Sequence, residues 1–224
     1  MASSYCEFAP GHPDHGPYHD REYGFPIRDD AALLQRLALE INQAGLSWLT
    51  ILRKRKAFHE AFEGFDVDTV ARYGRREKAR LLKDAGIIRN RLKVDAVIEN
   101  AKRIQALRES HGSFAAWLDA NHPKSRDEWR RLFKQTFVFT GGEIVGEFLI
   151  STGYLPGAHR IECPVYREIA VLGPPWMKAE KRGTRSVSPA RVNASGRPPS
   201  ARESSSVPLP NLPPSARRPG RARG

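Results

Sequence analysis

The stretch from Glu40 to Trp48, "EINQAGLSW", decides how this chain is read. Just upstream, Leu33, Leu37, Ile41 and Ala44 recur at helical spacing, which predicts an amphipathic helix with an apolar stripe. Glu40 follows Leu37 by three residues and falls on or beside that stripe, where an ionised carboxylate is costly unless something pairs with it. Gly45 ends the helix, and Gly45, Leu46 and Ser47 make a small loop tipped by one aliphatic side chain before the Trp48 indole. An ordinary helix stop with Trp48 in the core explains the glycine and the indole. The rest of the chain decides between that and a functional reading.

On the amino-terminal side, Cys6, His12, His15 and His19 share a segment with Pro10, Pro13, Pro17 and Pro26, so residues 1–28 read as a constrained loop region without helix. Asp29 or Asp30 can cap the helix that carries Leu33 to Ala44. On the other side, a helix from about Trp48 to Phe62 places Ile51, Leu52, Phe58 and Phe62 inward, and Arg53 to Lys56 reads as a basic, solvated face. A short helix starts at Asp66 or Asp68, another spans Arg75 to Asp84, and "LLKDAGIIRNRLKVDAVIENA" reads as helix, tight turn at Gly86, and helix. Such a turn presents unpaired backbone N–H groups that suit a phosphate oxygen. Three more helices follow, over Phe114 to Leu118, from a capping box at Ser125 through Phe137, and over Ile144 to Leu149. No convincing strand pattern appears, so the expected fold class is all-α.

The 224 residues suffice for one well-buried domain and an extension. The formal charge of +12 is uneven: from Pro174 onward eleven Lys and Arg face two Glu, leaving only +3 for residues 1–173. We therefore expect a folded domain over 1–173 and a disordered Pro/Arg/Ser-rich basic tail over 174–224, whose charge favours polyanions without sequence preference. No apolar run long enough to cross a membrane and no signal-peptide pattern is present, so a cytoplasmic protein without membrane partners is expected.

Two cysteines occur, Cys6 and Cys163. One disulfide is an option, but sparse thiols accompanied by histidines more often bind metal in a reducing compartment. His159 and Cys163 stand four apart, so their side chains point the same way on a helix or turn, and Cys6 with His19 supplies a second pair. The spacing fits no compact finger pattern, and His12 and His15 compete as ligands.

With these residues in hand, the chain from about Cys6 to Cys163 resembles the type I DNA-3-methyladenine glycosylases of the helix-hairpin-helix superfamily. The matching segments are "YHDREYGFP", "LEINQAGLSWLTILRKR", "AFEGFD", "AGIIRNRLKVDAVIENA" and the His159/Cys163 pair. The resemblance implies that Cys6, His19, His159 and Cys163 bind one structural zinc that staples the termini. It implies that Glu40 and Tyr18 hydrogen-bond a flipped lesion base, that Trp48 stacks on it, and that Gln43, Gly45, Leu46 and Ser47 belong to the loop that fills the gap in the duplex. Gly86 and Ile88 would sit in the hairpin that contacts phosphate. The family pattern has Trp where this chain has Phe8 and Tyr23, and Gly where it has Ile41. Phe8 and Tyr23 keep aromatic faces with less stacking area, and Ile41 would tighten the pocket.

The expected function is thus a monofunctional base-excision repair glycosylase that hydrolyses the N-glycosidic bond of N3-methyladenine in double-stranded alkylated DNA, working as a monomer. Alternatives are a protein of the same fold that binds damaged DNA without excision, or a glycosylase for another alkylated base.

Overall fold

Side chains that cap helix starts mark out most of the architecture. The computed structural model describes residues 4–179, all of whose regular elements are helical. Helix α1 is Tyr5–Phe8 and α2 is His15–Arg21. Helix α3, Asp30–Gln43, starts where the Asp29 side chain accepts from Ala32 N. Ser47 does the same for Thr50 N at the start of α4, Trp48–Ala61. Helix α5 (Val67–Ala71) is capped by Asp66, α6 is Arg75–Lys83, and α7 (Arg91–His111) is capped by Asn90. Ser113 caps α8 (Phe114–Asn121), and Ser125 with Glu128 forms the expected capping box of α9, Arg126–Thr136. Helices α10, Gly142–Ser151, and α11, Pro164–Leu172, complete the series.

The amino-terminal segment departs from expectation. It is helical at α1 and α2 although proline-rich, because Pro17 stands at the third position of α2, where a helix has no N–H partner to lose. His12 assists by accepting from the His15 N–H at 3.2 Å. At the other end the domain does not stop at residue 173. Pro174 and Pro175 are buried, 175–179 is helical, and Trp176 N donates to Gly153 O at 3.3 Å. The expected disorder over the rest of the tail, 180–224, lies outside the described residues.

Helix α3 is the centre of the fold, packed by α4, α7, α8 and α10. Leu33, Leu37 and Ile41 make its apolar stripe as anticipated and are fully buried. Ile41 therefore lies in the core and does not tighten a pocket. Arg36, Glu40 and Gln43 share a second face of the same helix at spacings of four and three. Burying both faces of one helix is what brings a charged row inside. In the same core, the aromatic residues Phe114, Trp117, Trp129, Phe133, Phe137 and Phe148 join α8, α9 and α10. Among the described residues no helix is long and apolar enough to cross a membrane.

Candidate active site and metal centre

Where α3 faces α1, α2 and α10, a cavity of about 300 Å³ opens, lined by Tyr5, Phe8, His15, Tyr18, Tyr23, Glu40, Gln43, Trp48 and Glu147. Glu40 lies deep in it at 4% exposure and has no hydrogen bond or ion pair with any described residue. Burial pushes its carboxyl up to about 8, with Arg36 pulling the other way and Glu147 adding to the rise. At neutral pH burial thus favours the protonated acid, and a positive ligand would draw out the carboxylate. The aromatic walls supply an apolar slot. Tyr18 and Trp48 lie 5.1 Å apart at 59°, Tyr18 and Tyr23 5.6 Å apart at 36°.

Buried Arg36 organises this wall. It donates to the Tyr18 hydroxyl and, at 3.3 Å, to Glu22, while its guanidinium lies 4.7 Å from the centre of the Tyr18 ring. Arg55 also donates to Glu22, so part of the basic run on α4 is structural. Lys54 donates to Ala85 O and Gly86 O at 2.9 and 3.1 Å, and Arg53 pairs with Asp14. The run is therefore not a uniformly solvated face.

The loop after α3 is small and bare as predicted. Gly45 has φ +82°, which a side chain would strain, and Leu46 is 41% exposed at the tip, with Ser47 beside it. Gln43 reaches back into the cavity. The buried Lys93 ammonium ties the loop down by donating to Asn42 O at 2.8 Å and Ala44 O at 2.7 Å, at the otherwise unsatisfied end of α3. Lys93 comes from the first turn of α7, so the loop and the turn before α7 are held together.

That turn differs from expectation in detail. The Gly86 N–H donates to Asp84 Oδ1 at 2.7 Å, so it is not free for a phosphate, and Ile88 is half-buried against the core. Glycine is needed at 86 because a Cβ there would come within 2.9 Å of the Ala57 Cβ on α4.

Phe8 and Tyr23 both reach the cavity, Phe8 at its rim with 48% exposure. Sequence reading missed Tyr5, Glu147 and Arg36. Glu147 belongs to a stretch that reads only as a helix, and nothing local marks one of its acids as inward. It also offered His12 and His15 as metal ligands. His12 instead caps α2, and His15 pairs with Tyr5 at 3.1 Å in the cavity wall.

The four residues expected to bind metal converge on the far side of α1 and α2. Cys6, His19, His159 and Cys163 bring one ligand atom each within 4.8 Å of one another, and both cysteines are free thiols. Cys163 Sγ lies 3.7 Å from His19 Nε2 and 3.5 Å from His159 Nδ1, and Cys6 Sγ lies 3.6 Å from His159 Nδ1. The outer ring nitrogens are engaged elsewhere, His19 Nδ1 with Asp20 at 2.7 Å and His159 Nε2 with the Tyr23 carbonyl at 2.7 Å. Each outward nitrogen therefore carries the proton and each inward one a lone pair, the arrangement of a metal-binding imidazole.

Residues 9–131, more than half of the chain, match the methyladenine glycosylase family. The chain is 33% identical over 180 residues to DNA-3-methyladenine glycosylase 1 of Escherichia coli, covering 72% of this chain and 96% of that protein. It is 32% identical over 166 residues to the DNA-3-methyladenine glycosylase of Haemophilus influenzae, covering 66% and 89%. Among solved structures it is similar to 3-methyladenine DNA glycosylase I of Staphylococcus aureus, with a TM-score of 0.66, 32% identity, and 74% of this chain and 97% of that one covered.

Proposed function

This chain belongs to the methyladenine glycosylase family, and from that membership and its cavity we propose that Glu40 is the group that selects the lesion base. The enzyme is a base-excision repair glycosylase that hydrolyses the N-glycosidic bond of N3-methyladenine in alkylated DNA. The observation that carries the assignment of Glu40 is its isolation: a buried acid, facing aromatic walls, with no protein partner. Alkylation at N3 puts positive charge on adenine, weakens its bond to the sugar and lets it depart neutral. A neutral adenine brings nothing to offset ionisation of Glu40, whereas the cation does, so the desolvated acid discriminates between them. The exocyclic amine donates to the carboxylate, the Tyr18 hydroxyl hydrogen-bonds the base, and Trp48 stacks on it at roughly 1–3 kcal/mol per stacked base.

The surrounding parts fit base eversion. Leu46 at the exposed loop tip enters the gap, flanked by Gln43, Gly45 and Ser47, and the energy of unstacking is a few kcal/mol. The turn between α6 and α7 acts as the hairpin of the superfamily and meets phosphate through residues after Gly86. The basic tail after Pro174 adds a salt-dependent contribution to affinity for double-stranded DNA. One copy of the chain suffices, and we place it in the cytoplasm.

Cys6, His19, His159 and Cys163 would hold zinc. Tetrahedral zinc with bonds of about 2.3 Å to sulfur and about 2.0–2.1 Å to nitrogen sets S and N roughly 3.6 Å apart. The cluster's S to N distances of 3.5, 3.6 and 3.7 Å fit that set. Its role is structural, joining the amino-terminal helices to the segment before α11.

The test is excision. Glu40→Gln should lower release of 3-methyladenine from methylated duplex DNA by about 10²-fold or more, with helicity unchanged. Release at the wild-type rate would remove Glu40 from its role.

A further inference from the structure

Two acids face this cavity, and they sit at different depths. Glu40 is buried on α3, while Glu147, which lines the cavity from α10, is half-buried and more exposed to water. The Tyr23 hydroxyl donates to Glu147 Oε2 at 3.3 Å, and Oε1 has no partner among the described residues. The floor of such a pocket meets the far edge of an everted base. The part nearer the mouth meets the bond that joins base to sugar, because the nucleotide enters with its backbone outside. The residues used so far bind and select the base, and none of them is placed to receive a proton from the attacking water.

We propose that Glu147 is the catalytic base of this enzyme, with Tyr23 as its positioning residue. The inference rests on the glycosylase reading above. In the step, the C1′–N9 bond breaks with its electron pair passing to the alkylated base, whose positive charge is neutralised as it leaves. A water oxygen bonds to C1′, one water proton passes to Glu147 Oε1, and the other stays on the new hydroxyl. The carboxylate also stands beside the positive charge that passes to the sugar as the bond opens. Tyr23 holds Oε2, so the free oxygen keeps one orientation.

The experiment is single-turnover release of 3-methyladenine from methylated duplex DNA by the full chain, alongside binding of free 3-methyladenine and a thermal melt. Glu147→Ala is expected to slow release by about 100-fold or more while binding changes less than about threefold. Added azide, a nucleophile with no proton to lose, should restore much of the rate to Glu147→Ala and little to Glu40→Gln. Tyr23→Phe should slow release less than Glu147→Ala does and leave binding alone. A rate within threefold of wild type, a fall matched by lost binding, or a fall that azide does not rescue each overturns the proposal while leaving the glycosylase reading intact. A wild-type protein that releases no base overturns both.

Discussion

The Cys/His cluster and the Glu40 cavity lie on opposite sides of the same two short helices, and they treat their polar groups in opposite ways. Cys6 and His19 point into the cluster, while their neighbours Tyr5 and Tyr18 point into the cavity. In the cluster every imidazole has both nitrogens engaged, inward with thiols and outward with Asp20 or the Tyr23 carbonyl. In the cavity Glu40 meets no partner at all. Satisfied polar groups lower the energy of the fold, and an unsatisfied one raises it, so the proposed role of Glu40 is to be completed by a ligand. Tyr23 joins the two regions, its carbonyl holding His159 and its hydroxyl holding Glu147.

Removing a cluster ligand should have the largest effect on the fold. Cys163→Ala is expected to lose the metal, measured as about one zinc per chain in wild type and none in the variant, and to cost on the order of 3–5 kcal/mol of stability in denaturant melts. Wild-type stability without metal would break the contrast, since the cluster would then contribute no more than any buried side chain.

Glu40 should behave in the opposite sense. Its carboxyl is raised to about 8 in the fold, so the native state keeps a proton that the unfolded chain gives up. The fold carries no penalty from it below the ordinary glutamate range, begins to lose stability as pH rises past that range, and bears the full penalty above about 8. Glu40→Gln, expected to be impaired in excision, should therefore be the more stable protein at pH 9, by up to about 5 kcal/mol at about 1.36 kcal/mol per pKa unit, with the gap closing near pH 4. A gap that stays constant across pH would place the carboxylate in water.

Two smaller effects sharpen the picture between these extremes. Lys93→Ala leaves the carbonyls of Asn42 and Ala44 without their ammonium and should cost about 1–3 kcal/mol, with the loop protons exchanging faster in hydrogen-exchange measurements. Leu46→Ala changes an exposed tip and should alter stability by less than about 0.5 kcal/mol, yet weaken release from duplex more than from single-stranded DNA. Equal loss on both substrates would deny the loop its place in the gap.

The helices were legible in the chain where their signals are local. Asp29, Ser47, Asn90, Ser113 and Ser125 are capping residues that act within a few positions, and each bounds a helix as its type requires. The segment around α1 and α2 was not, because proline argues against helix except in a first turn, and only the structure shows that Pro17 stands there. Glu40 stood out because an acid beside an apolar stripe conflicts with its own neighbours. Glu147 did not, because it shares its helix with one other acid, the exposed Glu143, and gains meaning only from Tyr23, far away in the chain.

By itself the sequence determined that the chain is helical, where most helices begin and end, that one acid sits against the grain, and which family these motifs resemble, since those properties depend on spacing along a single strand of residues. Only the tertiary structure decided that Arg36 and Glu40 form a buried second face of α3 with half-buried Gln43 at its end, that Glu147 and Tyr5 complete the cavity, and that His12 and His15 stay outside the Cys/His cluster. Those outcomes depend on which helices pack across one another, and burial, hydrogen-bond partners and charge environment are properties of that packing.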